Sequence, residues 1–168
     1  MTAPPPRRLV VMGVAGSGKT TVGRALAGRL GAEFLEGDDF HPPTNVAKMA
    51  AGIALDDEDR APWLAELVGA LSARTDVVLA CSALRRSYRD VLRGAGHVTF
   101  LYLAVSPEEA EHRVAHRRGH YMGPDMVASQ FATLEAPAAD ETDVRTVDAS
   151  GPADEVLERL LAAYSSMS

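Results

Sequence analysis

Cysteine occurs once in the 168-residue chain, lysine occurs twice, and acidic residues outnumber basic ones, 23 to 17. The lone cysteine, Cys81, excludes an internal disulfide, which fits a reducing, cytoplasmic setting. It lies in an apolar run and reads as a small buried hydrophobe. No stretch reaches the roughly 18 apolar residues of a membrane span, so no membrane partner is expected. A net charge of −6 and an isoelectric point near 5.3 argue against a nucleic-acid partner, since binding a phosphate backbone calls for a basic face. An anionic small molecule is not excluded, because a local cluster of arginines is enough to hold one. Met1 to Arg8 has three prolines and two arginines but no apolar segment with a cleavage site, and does not read as a signal peptide.

What is present is ordinary globular composition, 46% hydrophobic and 24% charged, in a length that suits one domain over residues 1–168. A chain of this size buries roughly 70% of the surface its unfolded form exposes. Short apolar runs at Leu9 to Met12, Glu33 to Glu36, Val77 to Cys81 and Val98 to Val105, with a weaker one at Val144 to Val147, read as strands. Segments of helical period alternate with them, including Lys19 to Leu30, Trp63 to Leu71 and Val156 to Tyr164. This alternation predicts an α/β fold, a parallel sheet covered by helices on both faces. Ser106-Pro107-Glu108-Glu109 predicts a capping box that opens a helix running to about Arg118. Glu135 to Asp143, rich in alanine and acids, reads as a surface loop.

Gly13-Val14-Ala15-Gly16-Ser17-Gly18-Lys19-Thr20 matches G-x-x-x-x-G-K-[ST] at every fixed position, between a predicted strand and a predicted helix. Glycines let the backbone wrap a phosphate with its N–H groups, and the helix that follows presents the positive end of its dipole. Lys19 is expected to reach the outer phosphates of ATP and the Thr20 hydroxyl to ligate Mg2+; with the adjoining Thr21, these residues form the predicted nucleotide site. Fifteen of the seventeen basic residues are arginine, so Lys19 and Lys48 both invite a functional reading. The run Val77 to Ala80 ends in Cys81-Ser82-Ala83 without the acid that many phosphate-loop proteins carry there, and the acids stand instead at Gly37-Asp38-Asp39. That puts a carboxylate at the carboxyl end of the neighbouring strand, where open α/β sheets bind ligands.

Gly37-Asp38-Asp39-Phe40-His41-Pro42-Pro43-Thr44-Asn45-Val46-Ala47-Lys48-Met49, followed by Asp57-Glu58-Asp59-Arg60-Ala61-Pro62-Trp63-Leu64, resembles the gluconate kinase (gluconokinase) family. Cys81-Ser82-Ala83-Leu84-Arg85-Arg86-Ser87-Tyr88-Arg89-Asp90, His120-Tyr121-Met122 and Ser129-Gln130-Phe131 with Leu134-Glu135 carry the resemblance on. It spans about Leu9 to Asp148, with Ala54, Arg85 and Tyr121 as modest departures. The resemblance implies a three-layer α/β/α phosphate-loop kinase fold, with five parallel strands in the order 2-3-1-4-5 and a helical lid over about residues 117–131. It also implies ATP-dependent phosphorylation of gluconate, with ATP and Mg2+ as cofactors; a homodimer is compatible with it.

By the same resemblance Asp38 acts on the acceptor hydroxyl and joins the magnesium shell, with Asp39 a weaker candidate. Arg113 stacks on adenine opposite Pro152, and Arg117 contacts phosphates. His41, His120 and Gln130 fall on the acceptor and lid side. Lys48, Arg60, Arg86 and Arg89 supply more cations than a neutral polyol needs, so one of them is expected to meet an acceptor carboxylate. Arg60 is the first candidate, because the Asp56 to Asp59 acids before it would otherwise repel an anion. Trp63 is expected in the core. His112 and His116 stand four apart but lack a third metal ligand. Two other readings stay open on residues alone: a related kinase acting on shikimate or a nucleotide, and a non-catalytic nucleotide-binding module.

Overall fold

A computed structural model of the chain describes residues 6–116 and 124–167. Its strands are β1 (Arg7–Met12), β2 (Glu33–Glu36), β3 (Asp76–Ala80), β4 (Thr99–Ala104) and β5 (Val144–Asp148), all parallel, in the order β2-β3-β1-β4-β5. Its helices are α1 (Lys19–Leu30), α2 (Pro43–Ala50), α3 (Asp57–Ser72), α4 (Arg86–Arg93), α5 (Pro107–Ala115), α6 (Pro124–Thr133) and α7 (Ala153–Ser165), with a 3₁₀ turn over Gly37–Phe40. The expected strand order and three-layer architecture are both observed. Strand ends differ by one or two residues from the apolar runs. β1 begins earlier because Arg7 pairs in register with Asp76 and also bonds its side chain.

A parallel sheet is covered on both faces, so its central strands are apolar throughout and alternate residues serve opposite layers. Val10, Met12, Leu79, Phe100 and Tyr102 pack with Trp63, Leu67, Tyr88 and Leu92 from α3 and α4. Leu9, Val11, Val78, Leu101 and Leu103 face Val22 and Leu26 of α1 and Leu157 and Leu160 of α7. A third, smaller cluster of Val14, Ala15, Leu84, Ala110, Val114 and Val127 lies where the phosphate loop meets α5 and α6.

Three local expectations are corrected. Ser106 does cap α5, accepting from the Glu109 N–H at 3.2 Å, but Glu109 spends its carboxylate on Arg113 at 2.6 Å, so the box is one-sided. The helix ends at Ala115 rather than near Arg118. A reciprocal box instead opens α3: Asp56 accepts from the Asp59 N–H at 2.8 Å, and Asp59 accepts from the Asp56 N–H at 3.0 Å. The acids of this segment are thus a cap and a first helical turn, where negative charge meets the positive helix end. The segment before β5 is more than a surface loop, because the side chain of its own Glu141 is buried. The predicted lid is described only from Pro124 onward, as α6; Arg117, Arg118, Gly119, His120 and Tyr121 lie outside the described residues.

Candidate active site

In a parallel sheet every strand ends at the same edge, so the loops after β1, β2, β3, β4 and β5 gather there. The phosphate loop leaves β1 and passes into α1, whose N-cap is Gly18 and whose first residue is Lys19. Gly16 sits at φ +83°, and a Cβ there would collide with the Ala110 carbonyl of α5. The loop therefore rests directly on a neighbouring helix, a position only glycine can hold. Beneath it the Ser17 hydroxyl is buried and has no hydrogen-bond partner among the described residues. A buried polar atom without a partner is costly, and here it lies within a loop shaped to hold phosphate.

Arg113 fastens this loop. Its Nη1 donates to the carbonyls of Gly16 and Ser17 at 3.1 and 3.2 Å, and its Nη2 donates to those of Ala149 and Gly151 at 2.7 and 3.1 Å. A slot beside it is walled by Ser17, Gly18, Thr21, Arg113, Gly151 and Ala153. Pro152 caps α7 between two of these residues and is not itself in the wall.

The 3₁₀ turn after β2 carries Asp38, whose side chain is 60% exposed. Gly37 makes the turn possible because a Cβ there would lie 2.5 Å from the Ala80 carbonyl of β3. Trp63 is buried as expected, and its Nε1 also donates to the Gly37 carbonyl at 2.8 Å, tying the turn to α3. Thr20 donates its hydroxyl to Glu36 at 2.5 Å. Sequence reasoning passed over Glu36, although its place as the last residue of β2, at the ligand-binding edge, was a usable signal. Below these groups lies Cys81, whose thiol burial pushes up to about 12, with the charges of Asp38, Lys19 and Glu36 acting on it.

A second cavity adjoins the turn, walled among others by Asp38, His41, Arg60, Trp63, Ser82 and Gln130. Gln130 reaches it from α6 and accepts the Ala15 N–H at 2.6 Å, so it touches the phosphate loop as well. Ala54, one of the departures from the family pattern, is also in this wall. His41 is stacked on Trp63, with ring centroids 4.3 Å apart and an interplanar angle of 12°. Burial lowers its pKa, with Asp38 opposing that shift and Arg60 adding to it. Arg60 donates to the Tyr88 hydroxyl at 2.9 Å and lies over that ring; the same hydroxyl donates to Asp57 at 2.7 Å, so the guanidinium is linked to the acids before it through Tyr88.

The four basic candidates separate cleanly. Arg60 alone lines the cavity. Lys48 is held by both carboxylate oxygens of Asp59, at 2.8 and 2.9 Å, which raises its pKa and lowers that of Asp59. Arg86 forms a two-pronged pair with Asp140 at the surface. Arg89 is buried, bonded to Glu141 and to the carbonyls of Ala83 and Glu135. Of the four candidates for an acceptor carboxylate, Arg86 therefore spends its guanidinium on a surface acid and Arg89 is part of the core. Arg117 and His120 fall outside the described residues.

A phosphate loop on a five-stranded parallel sheet, beside a carboxylate-bearing cavity, defines a phosphate-loop phosphotransferase with an alcohol group as acceptor. A family model described as shikimate kinase matches residues 15–165. The gluconokinase of Gluconobacter oxydans (strain 621H) is 48% identical over 164 residues, covering 95% of this chain and 92% of that protein. The thermoresistant gluconokinase of Escherichia coli (strain K12) is 46% identical over 153 residues, covering 88% and 87%. The crystal structure of a gluconokinase from Sinorhizobium meliloti 1021 superposes with a TM-score of 0.90 at 43% identity, covering 98% of this chain and 95% of that one. The chain belongs to the gluconokinase family.

Proposed function

We propose that this protein transfers the terminal phosphoryl group of ATP to the 6-hydroxyl of D-gluconate, releasing 6-phospho-D-gluconate and ADP. The observation that carries this reading is one cavity walled by both Asp38 and Arg60, next to the phosphate loop. A carboxylate is there to act on a hydroxyl, and a guanidinium is there to meet the acid end of the acceptor.

In this reading Asp38 orients the acceptor hydroxyl and takes its proton as the oxygen attacks the γ-phosphorus and the bond to the ADP oxygen breaks. Lys19 and the backbone N–H groups of Gly13 to Thr20 hold the phosphates and meet the charge that spreads over the moving group. The slot beside Arg113 takes the base, and Arg117 adds charge from the lid. His41 and Gln130 line the acceptor, and His120 belongs to the lid; Lys48 supports the site through Asp59. The Thr20 hydroxyl with the carboxylates of Glu36 and Asp38 is a hard-oxygen donor set that suits magnesium. When bound, the ion would offset phosphate charge during transfer.

A panel of acceptors in a coupled ADP-release assay tests the reading. Gluconate is expected to be phosphorylated far faster than shikimate, glucose or a nucleoside monophosphate. Turnover of shikimate ahead of gluconate, or ATP hydrolysis indifferent to every acceptor, would overturn it. Residues 1–168 act in this reading as one cytoplasmic kinase domain, and sedimentation would decide between a single chain and a homodimer.

A further inference from the structure

His41 is held from three sides. Trp63 of α3 stacks on one face of the ring, Asp38 lies 4.0 Å from Nε2, and the Asn45 side-chain nitrogen of α2 lies 3.2 Å from Nδ1. Arg60 is the remaining charge acting on the ring. The identity of the Asn45 atom matters. The same nitrogen is 2.8 Å from the Asp59 backbone carbonyl, an oxygen that only accepts, so this end of the amide must be the NH2 group. One of its hydrogens goes to Asp59, and the other meets His41. Nδ1 must then accept, and in a neutral imidazole the ring proton sits on Nε2.

We infer that Asn45 is a positioning residue that fixes the tautomer of His41, so that an Nε2–H donor faces Asp38 and the acceptor oxygen beside it. Asn45 is 1% exposed and its neighbours are in place without substrate, so the donor is set before the acceptor arrives. At 4.0 Å the Asp38 oxygen is beyond hydrogen-bond length, which leaves the Nε2–H for an acceptor oxygen in the shared cavity. This rests on the proposed role of Asp38 in the reaction; the tautomer itself does not.

The first test reads the ring directly. Long-range proton–nitrogen NMR of the ligand-free protein near neutral pH is expected to show a pyrrole-type Nε2 and a pyridine-type Nδ1 for His41. In Asn45→Asp the new carboxylate accepts from the ring, and Nδ1 should become protonated. Turnover of gluconate should then fall about 10- to 100-fold, the scale of losing one hydrogen bond to an oxygen that carries charge, with the Michaelis constant for ATP unchanged. A second pair of variants leaves Asn45 untouched. His41→Gln keeps an amide donor near the Nε2 position and should retain more turnover than His41→Asn, whose amide reaches only the Nδ1 position. A proton on Nδ1 in the parent would overturn the inference, as would equal activity of the two His41 variants or a folded Asn45→Asp protein with parental turnover. If the parent fails to phosphorylate gluconate while Nε2 carries the proton, the acceptor assignment falls and the tautomer stands.

Discussion

Arg89 and Glu141 form a two-pronged ion pair, Nε to Oε1 at 2.8 Å and Nη2 to Oε2 at 2.9 Å, with both side chains out of water. The same guanidinium donates to the carbonyl of Ala83 at 3.0 Å. Ala83 is buried at φ +46°, a left-handed conformation that disfavours any side chain. The pair thus holds the bend after β3 that carries Ser82 into the cavity wall.

Breaking a buried pair from one side leaves an uncompensated charge and costs about 3–5 kcal/mol. Glu141→Ala is expected to lose stability on that scale in urea titration. Arg89, helped by Arg93, holds the Glu141 carboxyl at about 2, below its usual 4.5. A depressed carboxyl stabilises fully above its unfolded value and loses that contribution as pH falls toward the folded one. The parent should therefore weaken between about pH 4.5 and 2, and this part of the acid loss should be missing in Glu141→Ala.

Lys19→Ala and Asp38→Ala should each reduce turnover by at least about a hundredfold while the fold is kept, since the proposed mechanism has one act on phosphoryl charge and the other on the acceptor proton. Circular dichroism with the coupled assay checks both. Near-parental turnover in either folded variant removes that residue from the mechanism.

Arg60→Ala should raise the Michaelis constant for gluconate by about 30-fold or more and leave that for ATP within a few-fold, as when one partner of a desolvated charge pair is removed. Arg86→Ala is the contrast. Its pair with Asp140 is exposed, worth about 0–1 kcal/mol, and both constants should stay near the parent's.

Cys81 should resist thiol reagents in the native protein, because burial pushes its thiol up to about 12 and leaves almost no thiolate at neutral pH. Labelling should appear only with denaturant, tracking unfolding. Rapid native labelling would contradict the buried placement.

Hydrogen exchange along α6 is expected to slow when ATP and gluconate are both present, since Gln130 already touches the phosphate loop and the acceptor cavity. Identical exchange with and without ligands would argue against a closing lid.

The phosphate loop, the helical starts and the strand alternation were legible in residue order because each depends on neighbours a few positions apart. So was the family, through motifs such as Gly37 to Met49 whose residue types are uncommon in combination. Distance in the chain hid the rest. Nothing near Arg89 in sequence announces Glu141, which lies 52 positions away, and the two arginines Arg86 and Arg89 look alike until one is seen at the surface and the other in the core. Asp59 illustrates the same limit, since only packing turns one acid into a helix cap, a partner for Lys48 and a backbone anchor for Asn45. The sequence by itself determined that Gly13 to Thr20 would form a phosphate loop between a strand and a helix and that Asp38 would follow the next strand. Which basic residue lines the cavity beside Asp38, and that Asn45 would meet the Nδ1 of His41, were decided only by tertiary structure. Charge and hydrogen-bond direction depend on what lies across the space between elements, and that space does not exist until the sheet and its helices are assembled.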